Sequence, residues 1–258
     1  MSLHERLKGG LFLSSMMGHT DGSFCAERGE GCALVQIGAY LAEPPAYGRA
    51  GHFLPPNRED CVRFFEREVS TIKRKLGIAV CVNLATPRLE WGLEAAECFK
   101  EAGGDILELN VHGGYRPYLE RGLLRAMVLP ENRRNLFLWL SEFSKLDIPI
   151  IVKFRLGVID DYTPILDYIS ELEVFGVHFN IRDEARKRPD FEFVRSFKSR
   201  YDLFLLVSGY VRSAEDARRL FDLGADMVGI AEPVLKEPNY IKRLYESLSG
   251  EAAPHNHG

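Results

Sequence analysis

Eight short apolar runs, separated by helical patterns or turn residues, limit the possible folds of this chain more than any other feature. The runs fall at 11–16, 33–37, 79–84, 106–110, 148–154, 176–180, 203–208 and 227–230. Helical periodicity lies between them at 61–76, 88–102, 131–145, 163–175, 190–201 and 214–223, and once more at 233–248 after the last run. Short apolar runs bounded by turns read as strands buried on both faces, and such strands belong to parallel sheets covered by helices. Eight of them with interleaved helices in 258 residues predict an α/β chain, a single (β/α)8 barrel over 1–248. A doubly wound open sheet is the rival, but it usually carries a glycine-rich turn after its first strand. Here that position reads Met16-Met17-Gly18-His19-Thr20-Asp21, which is no such turn. Residues 249–258 have no periodicity and are expected to be a disordered tail, with no metal role for His255 and His257.

Composition narrows the class. A chain 46% hydrophobic and 27% charged reads as soluble and globular, with enough residues for a large core. No apolar run approaches the roughly 20 residues a membrane helix needs. The N-terminus lacks the apolar segment of a signal peptide, so a cytoplasmic protein without membrane contact is expected. The net charge of −4 does not suit a chain whose main task is to grip a nucleic-acid backbone. Five scattered cysteines (Cys25, Cys32, Cys61, Cys81, Cys98) with no CxxC pair argue against a disulfide frame and a zinc site. The stretch 38–57 holds four prolines and three glycines, which excludes a regular helix and marks a candidate lid or binding loop. A second long connection spans 113–130.

Polar and small residues collect at the C-terminal ends of the strands. They are Ser14-Ser15-Met16, Asn83, Asn110 with His112, Lys153 with Arg155, His178 with Asn180, Ser208-Gly209, and Gly229-Ile230-Ala231. That end of a barrel is where side chains face a ligand. Amides and a lysine suit a planar heterocycle with carbonyls and ring nitrogens, such as a flavin. Gly209 and the turn after Ile230 stand where barrels bind phosphate. Each residue also has a plainer reading. Asn110 can bond its own turn, and His112 and His178 can be structural histidines. Lys153 ends an apolar strand and needs a partner if buried. The residues alone leave a flavin enzyme and an isomerase of phosphorylated sugars both open.

Several motifs resemble those of one family. Leu13-Ser14-Ser15-Met16-Met17-Gly18-His19-Thr20-Asp21 is similar to the Leu-Ala-Pro-Met-Ala-Gly-Val-Thr-Asp opening of tRNA-dihydrouridine synthases. Glu108-Leu109-Asn110 resembles their Asp-Leu-Asn, and Val152-Lys153-Phe154-Arg155-Leu156-Gly157 their Val-Lys-x-Arg-Leu-Gly. Val177-His178 and the run 207–217 match further family segments in the same order. The resemblance extends to the wider class of FMN barrels, which includes dihydroorotate dehydrogenases. It implies FMN over the barrel mouth, with Met16 near the ring, Asn83 at its pyrimidine part and Lys153 facing N1 and O2. It also implies Asn110 and His178 nearby, with Ser208, Gly209 and Ala231 at the phosphate.

The sequence departs from the family in three places. The family's Asn-x-Gly-Cys-Pro, whose cysteine is the proton donor, reads Asn110-Val111-His112-Gly113-Gly114-Tyr115 here. The acid role then falls to His112 or Tyr115, and an unperturbed His112 pKa near 6.5 suits proton donation. The Ile-Gly-Arg-Gly phosphate turn reads Ile230-Ala231-Glu232-Pro233, which puts a carboxylate where the family has arginine. Finally, no C-terminal tRNA-gripping helical domain is expected within this length. The resulting expectation is an FMN-dependent oxidoreductase acting on a C=C bond of a pyrimidine-like or other small planar substrate. Dihydrouridine synthesis on tRNA, a flavin-free phosphate-binding isomerase or lyase, and a non-catalytic binding barrel stand as alternatives.

Overall fold

Alternation along each strand decides what the barrel holds. The computed structural model describes residues 1–250. Its eight main strands are β1 (Gly10–Leu13), β2 (Cys32–Leu41), β3 (Ala79–Ala85) and β4 (Ile106–Val111). They continue with β5 (Ile150–Arg155), β6 (Gly176–Asn180), β7 (Phe204–Ser208) and β8 (Met227–Ile230). All neighbours run parallel, and β8 pairs with β1 to close the barrel, as the eight-run pattern predicts.

One face of the strands packs inward. Phe12, Leu34, Cys81, Ile106, Ile151, Leu206 and Met227 form a buried cluster inside the barrel. Their sequence neighbours, such as Leu11, Val35, Val80, Leu107, Val152 and Val228, belong to a larger cluster shared with helix residues Phe65, Phe99, Phe143 and Leu220. Two residues further along, the inward face turns polar: Ser14 after Phe12, Gln36 after Leu34, Asn83 after Cys81, Glu108 after Ile106, Lys153 after Ile151 and Ser208 after Leu206. All six are buried. Because side chains alternate with period two, this change on one face stacks an apolar floor beneath a polar layer.

Some elements differ from expectation. A five-residue helix, Leu3–Leu7, is held by a capping box between Ser2 and Glu5. It closes the N-terminal end of the barrel: Leu7 joins the inner cluster, and His4 stacks on Phe175 at 4.2 Å and meets Phe204 edge-on at 5.1 Å. A second unpredicted helix, Gly22–Arg28, is capped by Asp21. The segment 38–57 forms no α-helix, as expected, but β2 continues through its first four residues to Leu41. The helix from Thr163 stops at Ser170, and the predicted 233–248 helix is two, Pro233–Lys236 and Tyr240–Gly250. Pro238 lies in the break, because proline cannot supply the N–H that a helix interior needs. Ser249 and Gly250 belong to that last helix rather than to the predicted tail; 251–258 lie outside the described residues. After β6 a short antiparallel ribbon pairs Arg182–Asp183 with Arg188–Pro189. No helix among the described residues is long and apolar enough to cross a membrane.

Candidate active site

The polar layer is organised around one carboxylate. Glu108 on β4 is fully buried and receives a group from each of four other strands. Gln36 of β2 donates Nε2–H to its Oε2 at 2.6 Å, and Asn83 of β3 donates Nδ2–H to its Oε1 at 2.6 Å. Lys153 of β5 holds Nζ 3.3 Å from Oε1, and His178 of β6 places Nδ1 2.6 Å from Oε2. An isolated buried charge would cost many kcal/mol; an adjacent cation and three further polar partners make it tolerable. Burial pushes the Glu108 pKa up, but Lys153, His178 and Asn83 outweigh it and hold the group well below the usual carboxylate range.

The network fixes the orientation of its members. Lys153, 3% exposed, donates to Ser14 Oγ at 3.2 Å and Ser15 Oγ at 3.3 Å, so its ammonium is fixed below the mouth. His178 donates Nδ1–H to Glu108 and accepts from Ser208 Oγ at Nε2, 2.7 Å away, a neutral tautomer set by the carboxylate. Asn110 donates Nδ2–H to Asn83 Oδ1 at 2.8 Å. Its own Oδ1 accepts the backbone N–H of His112 at 3.1 Å and of Gly113 at 2.8 Å, so it also caps the turn that follows.

Burial pushes the His178 pKa down from 6.5 to about 4, against the pull of Glu108. Between those values the unfolded chain binds a proton that the folded chain refuses, so stability falls as pH drops through this window. The expected loss from pH 6.5 to pH 5 is on the order of 2 kcal/mol. Urea unfolding at the two pH values measures it, and equal or greater stability at pH 5 would contradict the assignment.

Above this layer a cavity of about 170 Å³ opens at the C-terminal ends of the strands. Met16, His112, Lys153, Ser208, Gly209 and Ala231, all expected at the site, line it. Asn83, Asn110 and His178 lie behind its wall, with their polar atoms committed to the Glu108 network. Tyr115 is not among the lining residues and packs edge-on against Tyr118 at 5.1 Å. The pKa expected for His112 is corrected. Burial first, then the Lys153 ammonium and the Arg155 guanidinium, push it well below 6.5, so the imidazole is neutral at pH 7. None of the five cysteines, all buried and free, lines the cavity.

Sequence reasoning missed Gln36 and Glu108 as site residues and did not use Arg182 and Arg212. The period-two succession Ile106, Glu108, Asn110 on one buried strand was the available signal for Glu108. Arg182 pairs with Glu232, which is therefore charge-compensated rather than facing the cavity as an unopposed anion. Three atoms of lining residues are buried without a protein partner: His112 Nε2, Asn180 Oδ1 and Arg182 Nε. Gly209 has φ +107°, and a Cβ there would meet Asn180 Oδ1 at 2.7 Å and Arg182 Cγ at 2.8 Å. Four cations (Lys153, Arg155, Arg182, Arg212), one lining carboxylate and unfilled hydrogen-bonding positions suit an anionic heterocycle. These features fit FMN: Met16, His112 and Lys153 would meet its ring, and the Gly209 and Ala231 turns its phosphate.

The chain is similar to proteins of known families. The family model for dihydrouridine synthase (Dus) matches residues 57–257. An uncharacterised protein of Methanocaldococcus jannaschii is 24% identical over 246 residues, covering 90% of this chain and 92% of the relative. A probable tRNA-dihydrouridine synthase of Rhizobium leguminosarum is 26% identical over 156 residues, 58% of this chain and 49% of that protein. A shorter likeness, 35% over 59 residues and 23% of each chain, is to imidazole glycerol phosphate synthase subunit HisF of Shewanella amazonensis. Among solved structures, morphinone reductase in complex with tetrahydroNAD shares the fold with a TM-score of 0.70 and 15% identity, over 92% of this chain and 86% of the other.

Proposed function

The chain belongs to the dihydrouridine synthase family, and from that premise we propose an FMN-dependent oxidoreductase acting on a C=C bond of a pyrimidine-like or other small planar substrate. The observation that carries this reading is Lys153, a cation fixed by Glu108, Ser14 and Ser15 on the cavity side of the polar layer. Bound FMN would supply the two-electron chemistry. Lys153 offers a preorganised positive charge to an electron-rich ring. Glu108 keeps that charge oriented and holds His178 in one tautomer. His112, neutral and with Nε2 unpartnered, is suited to hydrogen-bond and orient a substrate carbonyl at the position where the family has its cysteine, rather than to carry the proton itself.

The overall charge of −4 supports a small substrate over tRNA. Dihydrouridine synthesis on tRNA is the second reading, supported by the family itself and by the Rhizobium relative.

Purified protein mixed with FMN should show flavin absorbance that survives gel filtration and a micromolar or tighter Kd, about −8 kcal/mol. Absence of FMN binding together with binding of a sugar phosphate would replace this reading with a flavin-free phosphate-binding barrel. Reduction assays on free dihydropyrimidines and on unmodified tRNA separate the two substrate classes.

A further inference from the structure

The outer end of the cavity carries an unusual arrangement of charge. Arg182 enters from the ribbon after β6, Tyr210 and Arg212 from the loop after β7, and Glu232 from the loop after β8. The Arg182 guanidinium lies 4.7 Å from the Tyr210 ring centroid and the Arg212 guanidinium 5.0 Å from it. Tyr210 is held in place in turn: its hydroxyl donates to Glu184 at 2.5 Å, and its backbone sits at φ +58°, a region a tyrosine rarely adopts. Arg182 bonds Glu232 through Nη2, while its Nε–H is buried with no acceptor. An unmade hydrogen bond on a charged buried donor is costly.

The other lining cations have carboxylate partners. Lys153 has Glu108, and Arg155 has Glu184 at 3.5 Å. Arg212 forms no ion pair among the described residues. The subsite therefore has one arginine whose only lining counter-ion is a half-exposed carboxylate and a second arginine without one.

We propose that Arg182 and Arg212, both stacked on Tyr210, form the subsite for the phosphate monoester of the bound ligand, and that Glu232 is an internal anion that this phosphate displaces. Arginine forks suit phosphate oxygens, and a phosphate monoester brings −1.5 to −2 charges at neutral pH against the single charge of Glu232. The unpartnered Arg182 Nε–H gains an acceptor when the exchange occurs. The carboxylate at Glu232, where the family has arginine, thus becomes a gate on the subsite, and the cation comes from the ribbon after β6 instead. The proposal rests on the flavin reading for the identity of the ligand, since FMN carries such a phosphate.

The test compares FMN with riboflavin, which lacks the phosphate. Both are titrated by fluorescence quenching into wild-type protein, Glu232→Gln, Arg182→Met and Arg182→Lys, after thermal melts confirm folding. Glu232→Gln should tighten FMN about tenfold, and Arg182→Met should weaken it by tenfold or more, the range of a charge-assisted hydrogen bond. Riboflavin affinity should stay unchanged in both. Arg182→Lys, which keeps the charge without the fork, should fall between wild type and Arg182→Met. Equal shifts for the two flavins would make Arg182 a structural residue and overturn the proposal, as would weaker FMN binding by Glu232→Gln. If Arg182→Met does not fold, Glu232→Gln and Arg182→Lys carry the test. If wild type binds neither flavin, the flavin reading falls, and inorganic phosphate decides the subsite alone. Tighter phosphate binding by Glu232→Gln than by wild type upholds it, and no phosphate binding by either overturns it.

Discussion

Glu108→Ala should cost about 3–5 kcal/mol of folding stability, the loss typical when one partner of a buried ion pair is removed. For a domain of this size that corresponds to a fall in Tm of about 10 °C or more. The cause is specific. The substitution leaves the Lys153 ammonium, the Gln36 and Asn83 amides and His178 Nδ1–H without their shared acceptor, in a layer with almost no solvent. Thermal melts by circular dichroism measure the effect, and a drop of only one or two degrees would mean that the network is dispensable. Pairing Glu108→Met with Lys153→Met should cost less than the sum of the two single changes, because both buried charges then leave together.

Lys153→Met should lower the midpoint potential of bound flavin and slow its reduction about a hundredfold, the scale of losing one preorganised electrostatic contact at a reacting centre. The charge is fixed before any ligand arrives, since Ser14, Ser15 and Glu108 already hold Nζ. Spectroelectrochemistry and stopped-flow reduction read the two effects separately from stability. An unchanged potential in a folded, flavin-binding variant would assign Lys153 to the architecture alone.

The barrel was legible because its strands are buried on both faces and therefore read as unbroken apolar runs. The polar layer was legible only in part. Lys153, Asn83 and Asn110 stand out at strand ends, whereas Glu108 sits inside a run whose period-two pattern must be followed residue by residue. Which of these side chains face a ligand and which face one another is a matter of cross-strand register. Asn83 meets Glu108 because β3 and β4 pair at that position, and no local pattern encodes the pairing. The Leu3–Leu7 helix was missed because five residues are too few for periodicity, although Ser2 and Glu5 carried the capping signal. Arg182 belongs to a two-residue ribbon strand, below the length at which alternation can be read. His112 was found by position, but its electrostatic surroundings come from Lys153, His178 and Arg155 on two other strands.

The Leu3–Leu7 helix has a consequence for traffic through the molecule. With Leu7 inserted beneath Phe12 and Leu34, and His4 stacked against Phe175 and Phe204, the barrel is a cup with a sealed base. Anything that reaches Lys153 must descend through the same rim by which it departs. An electron donor and an electron acceptor could not occupy opposite doors. Both would approach Lys153 from one side, through a single shared mouth.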